Sequence, residues 1–301
     1  MRSIAWKVAI TALYGLAAVA AIAGVAAVAA VGRVARPAAK TMETRLGELA
    51  AAVLSSDYRG DRAELATLDE SLGRLDAGSL NDYRDYWRGF ALWRRAMNGF
   101  NEKPAPADLD ADLVKALERF QSALARHPDW DEVKSAMLGA WGNRIYLAGS
   151  DAEKRKKLLE EAGTYYKWVM AYEGENPRVL WIKGGMQMIV PPASGGDWTK
   201  AAATLRRGVA GAWKEASATV PAPAWAPRWG GAENLMNLAY LHSHLPTPDR
   251  ATALAYAEGA LTKAPEWHYV KDVQLPQIEA LPATAGVAAA GPPSCSPTAT
   301  P

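Results

Sequence analysis

The sequence predicts an all-α protein, and three observations carry that prediction. Windows of 3.6-residue apolar periodicity follow one another, with no well-punctuated run of apolar–polar alternation between them. A fixed cadence recurs: Ala116, Phe120, Ala123 and Pro128 fall at intervals of four, three and five, and Ala253, Ala257, Ala260 and Pro265 repeat it. Prolines gather between periodic windows, at 101–107, 191–196 and 222–228, where they remove backbone donors and end helices.

The bulk properties bound the answer. The chain has 301 residues, 50% hydrophobic and 22% charged, enough to bury a core in one large domain or two small ones. Net charge is +2, from 34 Lys and Arg against 32 Asp and Glu, and the excess sits at the front. The first 45 residues hold six basic side chains against Glu43 alone; without them 28 basic residues face 31 acidic ones. A slightly acidic body has no electrostatic footprint for nucleic acid. The single cysteine, Cys295, excludes intramolecular disulfides and cysteine-based zinc sites.

Taken in order, residues 1–36 read as an N-terminal membrane anchor. Val8–Val31 is uncharged and long enough to cross a ~30 Å hydrocarbon core at ~1.5 Å per residue. An uncleaved anchor fits this length, while the Ala27-Val28-Ala29 triplet fits a cleaved signal peptide. Arg33, Arg36, Lys40 and Arg45 after the span favour a cytoplasmic body. The signal-like start and a body free of cysteine favour an extracytoplasmic, periplasmic one, which is the expectation.

Residues 37–281 form the helical body. Thr41–Leu54 puts Leu46, Leu49, Ala50 and Val53 on one face. Asp61 is an N-cap for Arg62–Leu75, with Leu65, Leu68 and Leu72 in register. Asn81–Phe100 is strongly aromatic. Helices follow at Asp108–Arg126, Glu132–Leu147, Asp151–Tyr172, Arg178–Ile189, Trp198–Ala218, Gly231–His242 and Asp249–Lys263. After Leu281 an Ala/Pro/Ser/Thr tail, 282–301, has no means of burying anything.

The cadence has a physical meaning. Small residues four and three apart flatten a helix face, an aromatic between them fills the gap to a neighbour, and proline ends the helix. Each cadence ends in Pro-acid-Trp, at Pro128-Asp129-Trp130 and Pro265-Glu266-Trp267. Upstream helices set a small residue among bulky ones, as in Trp87-Arg88-Gly89-Phe90, Leu138-Gly139-Ala140-Trp141 and Trp181-Ile182-Lys183-Gly184.

On these residues the chain resembles the tetratricopeptide-repeat proteins, over roughly Leu80–Pro265. Its irregular spacing and the Pro-Pro-Ala-Ser-Gly-Gly-Asp turn at 191–197 are also similar to the periplasmic T component of tripartite (TRAP) solute transporters. The first resemblance implies αα-hairpins stacked into a superhelix whose concave side holds a peptide or partner helix. The lining it implies is Tyr86, Phe90, Trp93 and Arg94, then Asn143 and Arg144, then Asn234 and Asn237. Asparagine can bond a peptide backbone with donor and acceptor, and arginine can pair with a carboxylate.

Other motifs dissolve on inspection. Asp108-x-Asp110-x-Asp112 begins like a calcium loop, but its sixth and twelfth positions are Leu113 and Arg119 instead of Gly and Glu. Gly195-Gly196-Asp197 lacks the Lys-Ser/Thr of a phosphate loop, leaving Asp197 as an N-cap. No nucleophile elbow or metal motif is present, so no catalytic residue, metal or cofactor is expected. The expectation is a membrane-tethered, non-catalytic interaction scaffold offering a groove to a protein or peptide, with self-association through terminal repeats as a further possibility. Its alternative is a solute-binding accessory protein with a pocket lined by aromatics around Trp181, Trp198, Trp225 and Trp229.

Overall fold

In the computed structural model, residues 40–103 and 105–282 are described, and every regular element among them is helical. The helices belong to a unit that begins at Met42; Lys40 and Thr41 belong with the preceding residues. They are α1 Met42–Arg59, α2 Arg62–Gly73, α3 Asn81–Gly99, α4 Leu109–Arg126, α5 Asp131–Leu147 and α6 Ala152–Ala171. Next come α7 Pro177–Ile189, α8 Trp198–Ala216, α9 Gly231–Ser243 and α10 Arg250–Lys263. A π-helical turn over Tyr269–Gln274 then runs into the short α11, Leu275–Glu279.

One expectation is corrected. No helix among the described residues is long and apolar enough to cross a membrane, so the expected transmembrane helix is not part of the described fold. The stretch that prompted it, 8–31, lies outside the described residues, as does the expected tail from 283 onward.

The expected caps form locally. Asp61 accepts a hydrogen bond from the Glu64 amide at 2.9 Å, and Asp197 from the Lys200 amide at 3.0 Å. Asp151 and Asp249 cap α6 and α10 in the same manner. Each cap satisfies an orphan amide of a first turn.

Packing makes five antiparallel hairpins: α1/α2, α3/α4, α5/α6, α7/α8 and α9/α10. Each first helix touches the next first helix, α1 to α3, α3 to α5, α5 to α7 and α7 to α9. Each second helix also packs on the first helix that follows it. First helices therefore form an inner layer and second helices an outer one. The cadence residues supply the flat faces: Ala116, Phe120 and Ala123 on α4, and Ala253, Ala257 and Ala260 on α10, have no exposed surface. A Cβ on Gly89 would lie 2.7 Å from Phe120, and one on Gly184 would lie 2.6 Å from Leu205. In these two hairpins the small residue of the first helix is thus filled by a bulky side chain of the second, whereas Gly139 of α5 is met by Trp93 of α3.

The stack closes on itself. Gly47 of α1 abuts Ala224 in the proline-rich segment before α9. The Tyr58 hydroxyl donates to Glu233 of α9 at 2.9 Å, and its ring packs on Trp267 at 5.1 Å. Arg59 pairs with Glu266 at 3.6 Å. Gly230, at φ 109°, starts α9 from a left-handed conformation that glycine adopts without penalty, and its amide donates to Glu233 Oε2 at 2.7 Å. The first and last hairpins are therefore neighbours, and the concave side becomes an interior.

Candidate ligand-binding site

The interior is built from α3 outward. Tyr86, Phe90, Trp93 and Met97 recur at helical spacing and face the other first helices. Tyr86, Trp87, Phe90 and Trp93 are at most 1% exposed. Trp229 packs among them, its ring tilted 5.1 Å from Phe90 and edge-on 5.5 Å from Trp181. Their polar edges are satisfied internally. Trp229 Nε1 donates to the Tyr86 hydroxyl at 2.7 Å, Trp87 Nε1 to the Trp225 carbonyl at 2.7 Å, and Trp93 Nε1 to Asn143 Oδ1 at 2.8 Å.

Below this aromatic plug, residues from the middle and C-terminal parts of α3, α5, α7 and α9 line an open cavity of about 450 Å³. That volume lies within the range of small-molecule sites. Trp93, Arg94, Gly139 and Trp181 line it together with Gly142, Asn143, Ile182 and Gly185. The remaining wall includes Met97, Met186, Met188, Met236, Asn98, Asn237, Tyr240, Trp267 and Tyr269, and reaches Tyr146 and Ile189. Tyr146 and Ile189 are 75% and 70% exposed, so apolar surface continues from the cavity to solvent.

Arg94, only 3% exposed, is held by α1: its Nε donates to Asp57 Oδ2 at 2.7 Å. Asn98 steadies the other Asp57 oxygen at 3.0 Å. Burial alone would lower the guanidinium pKa, but Asp57 and then Glu233 override it and raise it, so Arg94 stays charged. Burial pushes the Glu233 carboxyl above its ordinary range despite Arg94. Tyr58, between them, is raised well above its ordinary value, chiefly by burial and then by Glu233. Arg94 also lies 5.7 Å from the Phe90 ring and 5.6 Å from the Trp181 ring, on aromatic faces that favour a cation.

Of the eight residues expected to line a groove, Trp93, Arg94, Asn143 and Asn237 line this cavity. The other four are placed elsewhere. Tyr86 and Phe90 are core, because closure of the stack buries the upper half of the concave face. Asn234 is fully buried and donates to the Pro177 and Gly230 carbonyls, joining α9 to the start of α7. Arg144 turns outward, donating to Asp110 at 2.8 Å while covering the Trp141 ring.

The acidic run at the start of α4 is a set of cation partners. Asp108 pairs with Arg62 and Arg95, Asp112 with Arg95, and Asp110 with Arg144 and Lys154. Of the aromatics expected around a pocket, Trp181 lines the cavity and Trp229 sits in the plug above it. Trp225 packs on Tyr83, and Trp198 donates to the Met188 carbonyl at 3.1 Å.

The methionine wall is not evident from sequence spacing alone. Met97 and Met186 stand in the C-terminal halves of α3 and α7 and Met236 near the middle of α9, positions that are given meaning only by stacking. No protein-family model, curated protein or solved structure matches the chain.

Proposed function

We propose that the chain is a non-catalytic binding protein that takes a small, largely apolar molecule into the cavity between the middle and C-terminal parts of its first helices. The observation that carries this is the lining itself: methionine and aromatic walls with a few polar groups at the floor, open to solvent at one end. Unbranched, polarizable methionines adapt to irregular apolar shapes, and a few fixed polar groups set orientation. The similarity to the T component of solute transporters points the same way. A peptide groove would need the concave face along its whole length, and its upper half holds Tyr86, Phe90 and Trp229.

The test is to fill the cavity from within. A Cβ on Gly185 would meet only Asn237 Nδ2, at 3.6 Å, so a side chain can start there without a clash. Titration of the full chain with octanol should shift tryptophan fluorescence saturably, through Trp93 and Trp181. Gly185→Leu should weaken that response about tenfold or more without lowering the melting temperature, since leucine favours helix over glycine. An unchanged response in the variant would place octanol elsewhere and defeat the proposal.

A further inference from the structure

We infer that the molecule taken up carries a carboxylate head, seated inward against Arg94 and Trp181, with its apolar chain directed out past the methionine wall. This rests on the cavity being a binding site and specifies what that site recognises.

The first observation is an indole without a partner. Trp87, Trp93, Trp198 and Trp229 all donate their N–H to an acceptor in the protein. Trp181 Nε1 is buried and has none among the described residues, although Trp181 is only 5% exposed and lines the cavity. Trp141 Nε1 is also without a partner, but Trp141 is not part of the cavity wall. A buried donor left unsatisfied costs about 1–3 kcal/mol, which an acceptor on a ligand would relieve.

The second observation is charge. Among the described residues of the cavity wall, Arg94 is the one side chain with a full charge, and no Asp or Glu stands beside it there. Its Nε serves Asp57 and its Nη1 reaches only the Met97 sulfur, a weak acceptor, at 3.7 Å. No acceptor among the described residues takes Nη2, so the guanidinium fork retains donors. Asp57 already offsets the cost of burying this cation.

The third observation is the orientation of Asn143. Its Oδ1 accepts from Trp93, which leaves its amide N–H groups as further donors on the same wall. The cavity wall thus offers guanidinium, indole and amide donors, and a carboxylate is an acceptor with no proton of its own to place. At ~30 Å³ per small group the cavity has room for roughly fifteen non-hydrogen atoms, ample for a medium-chain acid.

Calorimetry of the full chain with octanoate, octanol and octyltrimethylammonium tests this directly. Octanoate should bind about tenfold or more tighter than octanol, and the cation weakest. Trp181→Phe keeps the ring and deletes the N–H, and should reduce the octanoate-to-octanol affinity ratio about five- to tenfold. Equal affinity for octanoate and octanol, or an unchanged ratio in Trp181→Phe, overturns the carboxylate head while leaving the cavity as an apolar site. Failure of all three probes to bind overturns the cavity function along with it.

Discussion

Single residues decide whether this interior is stable, and two of them are charged. Arg94 and Asp57 are 3% and 1% exposed, so either one alone would be a buried, unpaired ion. Asp57→Asn should therefore cost about 3–5 kcal/mol, read as a fall in the urea midpoint with little change in slope. His242 carries a pH dependence. Burial lowers its pKa, Arg206 lowers it further, and Asp249, 3.9 Å from Nδ1, opposes them. A histidine with a depressed folded-state pKa takes up its proton more readily when unfolded. Its contribution is fully present above the unfolded value of about 6.5 and is lost as pH falls toward the folded one. The melting temperature should drop between pH 7.5 and 5.5, and His242→Gln should flatten that drop. An equal drop in both proteins would mean that other groups carry it.

At the scale of elements, the glycines of the first helices divide into two kinds, and the division predicts opposite outcomes for the same substitution. Gly89 and Gly139 are contact points: added Cβ atoms would run into Phe120 and Trp93, both fully packed. Gly185 faces the cavity. Alanine favours a helix interior over glycine by up to ~1 kcal/mol. Gly89→Ala and Gly139→Ala should nonetheless destabilise by about 1–3 kcal/mol through overpacking, while Gly185→Ala should stabilise by ~0.5–1 kcal/mol. Urea denaturation of the three variants checks the sign of each. The contact glycines were legible in the sequence because each sits among bulky residues at helical spacing. Other features were not. The first helix runs on from Leu54 to Arg59 because Ser56 and Asp57, polar by type, turn inward to meet α3. The π-turn and α11 were not foreseen, since Pro276 argues against a helix unless it falls in the first turn, where its missing N–H costs nothing.

The whole molecule is where sequence periodicity stops being informative. Spacing tells which residues share a face, and Trp93, Arg94, Asn143 and Asn237 all lie on the cavity wall. It says nothing of how sharply the hairpins curve, and curvature decides whether Tyr86 and Phe90 line a groove or fill a core. Here α1 reaches Glu233 and Trp267, residues of the last hairpin and beyond it, so the ends support each other. Stacked repeats ordinarily behave as one-dimensional arrays, in which a defect at one end leaves the other end protected. Closure removes that independence. Trp267→Ala should lower amide exchange protection in α1 as well as in α10, although Trp267 is more than two hundred residues from α1 along the chain. A double-mutant cycle with Tyr58→Ala should give a coupling energy of about 0.5–1.5 kcal/mol, the range for a packed aromatic pair. Protection lost in α10 alone, with zero coupling, would describe an open stack whose ends merely lie close. The cavity would then depend on local packing of α3, α5, α7 and α9 and not on the ring as a whole.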